Sequence, residues 1–388
     1  MRKVTADYIF PGNSTPIKNG VVVIDGNGII VDLIDPKTTD INTENIEKYE
    51  GVICPGFINT HCHLELSYLK NQLAEHTLLP HFVKEIVAVR DNYSTEERFK
   101  AIELAEQEML NNGIVAVGDI VNGNTTLAAK KSSKINYHNF VEVFGLNPIK
   151  GNEIIAHAEK LKQDFLHLDR SSITPHAPYS VSPVLSQLIT ELDEPLISIH
   201  NQETESENEL FISGTGDLFD QLSQIGEDIK TWQPTGKNAL PSYLTQFSTE
   251  QKILLVHNTY TSQEDIAFAK NYSHNIYWCF CPNANLYIEN KLPNFNLFTN
   301  EKCTIGTDSL ASNKSLSILE EMKIIQQSAP SISLEKRIQW GTFNGAAFLG
   351  FEQLGSIEKG KVPGLNWIKD VDLKNLSLKT SSSIQVLN

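Results

Sequence analysis

The stretch Val52-Ile-Cys-Pro-Gly-Phe-Ile-Asn-Thr-His61-Cys-His63 joins an apolar run directly to two histidines that are one residue apart. The run Val52–Asn59 is predicted to be a buried strand. Alternate residues of an extended chain point to the same side, so both imidazoles can bind one metal ion from the end of that strand. Because the active sites of parallel α/β barrels lie at the carboxyl ends of their strands, this stretch also favours that fold.

Strand–helix alternation continues from this stretch to about residue 350. The clearest helical segments are Glu96–Asn112, with an apolar stripe that includes Phe99 and Leu104, and Leu316–Gln327. The alternation favours an α/β fold of the (β/α)8 TIM-barrel type, although the pattern alone leaves a doubly wound sheet open. The eight predicted strands are Val52–Asn59, Ile114–Ile120, Tyr137–Phe144, Ser172–Thr174, Leu196–Ile199, Lys252–Val256, Asn275–Phe280 and Cys303–Gly306.

The head and tail of the chain have a different pattern from the middle. Short strands are predicted at Val4–Phe10, Gly20–Asp25 and Ile29–Ile34, with turn-forming residues between them. From Gly355 onward the chain returns to short strand-like pieces. A strand-rich head and a strand-rich tail that flank a barrel can pair with each other, so one discontinuous accessory domain is expected.

Composition limits the class of partner. The 388 residues carry a formal charge of −15, which disfavours nucleic acid polymers and anionic membranes as partners. We find no apolar run of about 18 residues, and Met1–Gly12 lacks the apolar core of a signal peptide. The five cysteines lack zinc-finger spacing and are interpreted as small buried apolar residues. A reducing, cytoplasmic compartment is therefore expected.

Polar residues end other predicted strands in the same way. His200, His257 and Asp308 each follow directly on an apolar run. One histidine at a strand end is more often structural, but strand ends of a barrel converge on one cavity. Three imidazoles and one carboxylate, from His61, His63, His200 and Asp308, make a shell that zinc accepts, and iron or manganese would accept the same groups. His257 is either a further ligand or, as we favour, an orienting group.

Glu203 follows His200 by three residues. This spacing suits a helical turn that brings the carboxyl group beside the metal, where it could act as a general acid–base. Three further glutamates follow within six residues, so a solvated loop carboxylate is the alternative interpretation.

Several motifs together resemble those of the amidohydrolase superfamily, and most closely its deaminase and chlorohydrolase branch. The resemblance covers essentially the whole chain. It implies a (β/α)8 barrel over residues 54–350 and a small discontinuous β-sandwich formed by residues 1–53 and 351–388. The motifs are Pro55–His63, His200-x-x-Glu203, Val256-His257, Cys281-Pro-Asn-Ala-Asn285 and Gly306–Asn313.

The resemblance also implies roles for the residues of the site. Asp308 would take a proton from the attacking water as well as bind metal. Glu203 would protonate the ring nitrogen beside the reacting carbon, and His257 would orient or polarise the hydroxide. The residues expected to bind one divalent ion are His61, His63, His200 and Asp308.

Residues outside this group bear on the number of ions and on the substrate. Other superfamily branches hold a second ion through a lysine after the fourth strand, and Thr174–Tyr179 contains none, so one ion is expected. His176 in this segment is expected to contact substrate, with a packed or capping histidine as the alternative. The surroundings of Glu65 and Arg90 resemble aminofutalosine deaminases. Glu65 could bond a ribose hydroxyl and Arg90 a carboxylate, or each could be structural.

The expected function is hydrolytic deamination of an aminated purine or nucleoside-type heterocycle, such as aminofutalosine, S-adenosylhomocysteine or methylthioadenosine, with release of ammonia. An s-triazine chlorohydrolase or an imidazolonepropionase-type enzyme would use the same groups. A non-catalytic barrel scaffold and a purely structural ion are the alternatives from other classes.

Related enzymes are often dimers, which leaves a homodimer open. One departure from the family pattern, Pro363-Gly364 in place of an Ala-Asp pair, puts the local geometry of the tail in question.

Overall fold

The protein is described here by a computed structural model, in which residues 1–39, 44–166, 170–224, 229 and 232–387 are defined. The strands, numbered in chain order, are β1 (Arg2–Ile9), β2 (Ile17–Lys18), β3 (Val21–Ile24), β4 (Ile30–Ile34), β5 (Ile46–Pro55), β6 (Phe57–Cys62), β7 (Ile114–Val121), β8 (Asn136–Val143), β9 (Arg170–Pro175), β10 (Leu196–Asn201), β11 (Lys252–His257), β12 (Ile276–Phe280), β13 (Cys303–Ile305), β14 (Leu365–Asp372) and β15 (Ser377–Val386).

The helices follow most of the strands in the middle of the chain. Short 3-10 helices lie at Leu64–Leu69, Arg90–Asn92, Pro148–Lys150, Leu244–Gln246 and Phe295–Phe298, and a π-helical turn at Trp340–Asn344. The α-helices are α1 (Leu79–Val89), α2 (Thr95–Asn111), α3 (Leu127–Ser132), α4 (Gly151–Phe165), α5 (Pro183–Glu191), α6 (Glu205–Ser213), α7 (Asp217–Gln224), α8 (Ala239–Tyr243), α9 (Gln263–Tyr272), α10 (Pro282–Glu289), α11 (Ile318–Ser328), α12 (Leu334–Gln339) and α13 (Gly345–Leu349).

Two four-stranded parallel sheets contain the middle of the chain. Their strand orders are β6-β7-β8-β9 and β10-β11-β12-β13, so neighbours in each sheet are also consecutive in sequence. Parallel neighbours need crossover connections, and helices occupy most of them. The predicted strand–helix alternation is thus confirmed, and seven of the eight predicted strands match the observed bounds to within two residues.

The predicted strand Val52–Asn59 is wrong, because the chain breaks there into β5 and β6, which belong to different sheets. The break is at Gly56, whose N–H points at the carbonyls of Pro363 (3.1 Å) and Gly364 (3.2 Å). A Cβ at this position would lie 2.8 Å from the Pro363 carbonyl oxygen. The Pro363-Gly364 departure from the family pattern therefore forms part of the corner between the two sheets.

The head and the tail of the chain pair in one seven-stranded sheet, in the order β15-β14-β5-β1-β3-β4 with β2 on β1. Strand β14 from the tail pairs antiparallel with β5 from the head, which confirms the expected pairing. The sheet has a buried apolar cluster of its own, including Val22, Ile53, Ile357 and Leu365. Two non-contiguous segments are thus held together by a shared ladder and a shared core.

In helix α2, two residues of the predicted apolar stripe are exposed. Ser94 caps its first turn, and the reciprocal bonds between Ser94 and Glu97 explain why the helix begins here. Ile102 faces the core, whereas Phe99 and Leu104 are 41% and 63% exposed. Leu104 lies two residues from Ile102, which places it on the opposite face of a helix with 3.6 residues per turn.

The facing edges of the two parallel sheets are linked at their carboxyl ends. At one seam, the carbonyl of His176 accepts a bond from His200 N (3.0 Å), and the Thr174 hydroxyl bonds both backbone groups of Ser198. At the other seam, the N–H groups of Thr307 and Asp308 both point at the His61 carbonyl, each at 3.1 Å. Strand ends from both sheets consequently face one region.

The cysteines agree with their prediction, since all five are free and buried. Within the described ranges, no helix is long and apolar enough to cross a membrane.

Candidate metal centre and active site

Four side chains predicted from strand ends meet at this region. His61 lies in β6 and His63 just after it, His200 lies in β10, and Asp308 follows β13. Ring nitrogens of His61, His63 and His200 all lie within 4.8 Å of one another. The Asp308 Oδ1 atom is 3.7 Å from His61 Nε2 and 3.5 Å from His63 Nε2.

The spacing of these atoms fits a bound metal ion. Ligand atoms at about 2.0–2.1 Å from a tetrahedral zinc ion are roughly 3.3 Å apart. His63 Nε2 and His200 Nε2 are 3.4 Å apart, close to that value, and the two contacts of Asp308 Oδ1 are only slightly longer. Among the described residues, neither ring nitrogen of the buried His61 has a hydrogen-bond partner. A cation at the common centre would satisfy this otherwise costly arrangement.

Neighbouring groups orient the candidate ligands. The Nδ1 atom of His200 lies 2.7 Å from the His176 carbonyl, so Nδ1 carries the proton and Nε2 keeps its lone pair. The Ser312 hydroxyl donates to Asp308 Oδ2 at 2.5 Å, which leaves Oδ1 directed at the histidines. This is the pattern of supporting contacts that metal ligands in proteins have.

Burial and charge give these groups the protonation states that a metal requires. Burial lowers the pKa of His63 and lowers that of His200 well below its ordinary value. Burial opposes ionisation of Asp308, but its electrostatic interactions with the nearby His61, His63 and His257 outweigh burial and lower its pKa. Neutral imidazoles and an ionised carboxylate are the forms that bind metal.

His257 lies beside the cluster. Its ring centroid is 5.8 Å from that of His61, and its Nδ1 lies 2.8 Å from the Asn285 side-chain oxygen. Nδ1 therefore donates to the amide, and Nε2 faces Glu203 Oε1 at 3.6 Å. The Cys281–Asn285 motif thus reaches the site through Asn285.

Glu203 is not on a helical turn as predicted. It lies in the turn between β10 and α6, where Gln202 adopts a left-handed φ of 46°. The Glu207 carboxyl group accepts a hydrogen bond from the Glu203 N–H at 3.2 Å. Burial, and then the charge of Asp308, raises the pKa of Glu203 well above its ordinary value. This shift favours the protonated form of the carboxyl group, which is the form that a general acid needs.

Several strand ends of the site have a backbone conformation that side chains other than glycine rarely adopt. Gln202, His257, Asn258 and Asp308 have φ values of 46°, 74°, 59° and 56°. Each such residue costs on the order of 1–3 kcal/mol and persists where the surrounding structure enforces it. Their concentration at this region is typical of a functional site.

Of the three residues predicted to contact substrate, two lie at the site and one is not joined to it. The His176 ring centroid is 4.7 Å from that of His200, and Glu65 Oε2 accepts a bond from Asn122 N at 3.1 Å. Burial raises the pKa of Glu65 to about 8. Arg90 lies on a 3-10 turn after α1 with its side chain 53% exposed, and its charged contact in the structure is Asp91 at 4.0 Å. The described contacts bring His176 and Glu65 to the site, but do not join Arg90 to it.

The sequence interpretation missed Glu142. Its side chain is 3% exposed, and Oε1 lies 3.7 Å from His200 Nδ1. It lies on β8, two residues from Phe140, which packs against His138 and Phe348 in the interior. A search of strand ends for glutamate as well as histidine and aspartate would have found it, because it lies within two residues of the end of a predicted strand.

Comparison with known proteins identifies relatives along nearly the whole chain. The model of the amidohydrolase family matches residues 52–386. A 5-methylthioadenosine/S-adenosylhomocysteine deaminase of Saccharophagus degradans is 27% identical over 369 residues, covering 88% of this chain and 76% of the relative. An aminodeoxyfutalosine deaminase of Nitratiruptor sp. is 26% identical over 360 residues, covering 89% and 86%.

Solved structures share the fold. Helicobacter pylori aminofutalosine deaminase in complex with methylthio-coformycin superposes with a TM-score of 0.81 at 23% identity, covering 98% of this chain and 94% of that one. An adenosine deaminase from Xanthomonas campestris with bound zinc superposes with a TM-score of 0.74 at 20% identity, covering 97% and 86%.

Proposed function

We propose, because this chain belongs to the amidohydrolase family, that it is a metal-dependent deaminase that hydrolyses the amino group of an adenosine-like nucleoside or a related aminated heterocycle and releases ammonia. The observation that carries the proposal is the buried Glu203 carboxyl group, whose Oε1 lies 3.6 Å from His257 Nε2 at the edge of a cluster of potential metal ligands. Relatives that are named as nucleoside deaminases support the substrate class.

His61, His63, His200 and Asp308 would hold one divalent ion, for which we propose zinc, with iron or manganese as alternatives. The orphaned ring nitrogens of His61 and the ligand-like spacings support this assignment. When bound, such an ion acts as a Lewis acid and lowers the pKa of a water molecule to about 7.

The side chains around the ion divide the proton transfers between them. Glu203 would hold a proton on its carboxyl group and pass it to the ring nitrogen next to the reacting carbon, which prepares the ring for addition of water. Asp308, held as a carboxylate, would accept a proton from the attacking water. His257, fixed by Asn285 through Nδ1, would orient that water with Nε2. Asp308 would then pass its proton to the amino group and Glu203 would take the proton of the new hydroxyl, so that the C–N bond breaks, ammonia leaves and a ring carbonyl remains.

We also infer that β6 to β13 form one (β/α)8 barrel within residues 54–350, with residues 1–53 and 351–388 as the accessory β domain. Hydrogen bonds at both seams between the parallel sheets support closure. In such a barrel the carboxyl ends of all eight strands surround one pocket, as the proposed reaction requires.

The test is ammonia release from a panel of aminated purines, their nucleosides and 5′-thio nucleosides, with zinc-, iron- and manganese-loaded protein. Release from at least one nucleoside, lost in Glu203→Gln at unchanged metal content, is expected. Adding a chlorinated s-triazine and an imidazolone to the panel distinguishes the other hydrolases of this family. Turnover of only those compounds, with no ammonia from any aminated purine, would contradict the deaminase assignment.

A further inference from the structure

Among the described residues, Glu142 stands out for a buried carboxyl oxygen that has no hydrogen-bond partner. Its side chain is 3% exposed, and within the described residues Oε1 receives no hydrogen bond. The nearest N–H, on His200 Nδ1, is 3.7 Å away and already bonds the His176 carbonyl. Burying an unsatisfied carboxylate oxygen is costly, so native proteins rarely keep one without a ligand or water to serve it.

His176, close to Glu142, supplies a second hydrogen-bond acceptor. The Ser180 hydroxyl donates to the Ala177 carbonyl (3.0 Å), so it can only accept from His176 Nδ1, 2.9 Å away. His176 Nε2 therefore keeps its lone pair. One nitrogen of His176, one of His200 and one oxygen of Glu142 lie within 4.8 Å of each other. A group that fits between Glu142 and His176 must supply hydrogen-bond donors.

Asn122 fixes two acidic side chains on the same side of the site. Asn122 donates through its side chain to Glu142 Oε2 at 3.0 Å and through its backbone N–H to Glu65 Oε2 at 3.1 Å. Asn122 and Glu142 also line a cleft of about 380 Å³ that runs between β8 and α4. One asparagine thus holds two acidic side chains in place. Because burial raises the pKa of Glu65 to about 8 and Lys150 lines the same cleft, a neutral donor such as a hydroxyl group suits this position.

We propose that Glu142, with His176, binds hydroxyl groups of the sugar of the substrate and so selects a nucleoside over its deoxy analogues. This inference rests on the proposed deaminase function. Glu142 is a specificity residue here, on the side of His200 away from the metal-binding Nε2, whereas Glu203 acts on the ring. A hydrogen bond to a charged acceptor contributes about 1.5–3 kcal/mol, which corresponds to roughly 10- to 150-fold in kcat/KM.

The experiment compares kcat/KM for adenosine, 2′-deoxyadenosine and 3′-deoxyadenosine in the zinc-loaded wild type, Glu142→Gln and Glu142→Ala. In the wild type, at least one deoxy analogue should react roughly 10- to 150-fold more slowly than adenosine. The ratio of kcat/KM for adenosine to kcat/KM for that deoxy analogue should fall in Glu142→Gln and approach 1 in Glu142→Ala. Because each ratio is taken within one variant, partial misfolding does not affect it. Glu153→Gln, at an exposed glutamate that lines the same cleft, is the matched control and should keep the wild-type ratio.

Two results would overturn the assignment. One is a Glu142→Ala variant that still prefers adenosine over the deoxy analogue by the wild-type factor. The other is a wild-type protein that binds two metal ions per chain and loses one of them in Glu142→Ala, since Glu142 Oε1 would then be a metal ligand. If the wild type releases no ammonia from any nucleoside, the deaminase proposal fails separately. Calorimetric binding of inosine and 2′,3′-dideoxyinosine then decides the Glu142 assignment. Tighter binding of inosine that depends on Glu142 supports it, and equal or absent binding overturns it.

Discussion

At the residue scale, Glu203 is the side chain whose removal should separate chemistry from metal binding. Glu203→Gln keeps the shape of the side chain but removes the transferable proton, so we expect kcat to fall by about 10²- to 10⁴-fold. Metal content by elemental analysis should stay unchanged, because Glu203 contacts His257 rather than the four proposed ligands. Glu205→Gln, at the exposed start of α6, is the control. A variant with near wild-type kcat would remove Glu203 from the reaction.

Ser312 provides a second residue-scale prediction, because its hydroxyl donates to Asp308 Oδ2. Loss of such a supporting hydrogen bond typically costs 10- to 100-fold in metal affinity. We expect Ser312→Ala to weaken zinc binding by about 10-fold in competition with a chromophoric chelator. Ser315→Ala is the control, since its recorded contact is from its backbone N–H to Asn313. Equal affinities in both variants would show that Asp308 does not depend on this contact.

Individual residues were predictable where a simple rule covers them. The proposed ligands follow from one rule, that polar residues at strand ends of parallel sheets converge, and the structure brings His61, His63, His200 and Asp308 together. The non-helical turn that carries Glu203 was not predictable, because the left-handed Gln202 is held by residues distant in sequence: its carbonyl accepts from Tyr260 N and its side chain donates to Asp265. The lack of a hydrogen-bond partner for Glu142 Oε1 among the described residues was likewise not predictable, because it depends on which side chains pack around it.

At the element scale, Gly56 separates β5 from β6 and should tolerate no side chain. A Cβ there would lie 2.4 Å from Val115 Cγ1 and 2.8 Å from the Pro363 carbonyl oxygen. Overpacking of this kind costs about 1–3 kcal/mol, and we expect Gly56→Ala to lower the free energy of urea unfolding by that amount. At Gly123 an added Cβ meets nothing within 4 Å, so Gly123→Ala should change stability little. Equal urea midpoints for Gly56→Ala and Gly123→Ala would mean that the corner between β5 and β6 is not tightly packed.

Glu207 links helix α6 to the turn that carries Glu203. Burial raises its pKa from 4.5 to about 8. A group whose pKa is raised by folding favours the folded state while protonated, and this contribution is lost as pH rises from about 4.5 through about 8. Relative to Glu207→Gln, the wild type should therefore lose stability across this window, by at most about 1.4 kcal/mol per pH unit.

Urea unfolding of the wild type and Glu207→Gln at pH 5, 6, 7 and 8 measures this difference directly. Glu209→Gln, at an exposed position of the same helix, is the matched control. A wild-type-minus-variant difference that stays constant over the four pH values would show that Glu207 does not hold a proton in the folded protein.

The bounds of the elements show where local sequence patterns stop being sufficient. The bounds of seven strands were predicted to within two residues, because strands that are buried on both faces consist of nearly continuous apolar residues. The apolar run over Val52–Asn59 gave no sign that it serves two sheets, since its break depends on a contact with Pro363, more than 300 residues away. Leu104 of α2 was assigned to the apolar stripe by composition, although helical geometry places it on the exposed face.

At the scale of the whole molecule, the links between the parallel sheets could not be read from the sequence. At one seam the Thr174 hydroxyl takes the place of a backbone partner for Ser198, and at the other a single carbonyl of His61 receives two N–H groups. Neither contact follows from strand periodicity. The fold class was nonetheless predictable, because strand–helix alternation over 300 residues permits few architectures.

The proposed ion would join the two parallel sheets, because His61 and His63 follow from the first sheet and His200 and Asp308 from the second. An ion that binds only the folded protein stabilises it by about 4 kcal/mol at a free concentration 1,000 times its Kd. We therefore expect the Tm of the zinc-loaded protein in calorimetry, at one scan rate, to exceed that of chelator-treated protein by several degrees. The difference should disappear in His61→Asn, which lacks a central ligand but leaves both seams' backbone bonds in place. A metal-independent Tm in the wild type, with zinc shown to be bound, would mean that the ion does not hold the sheets together.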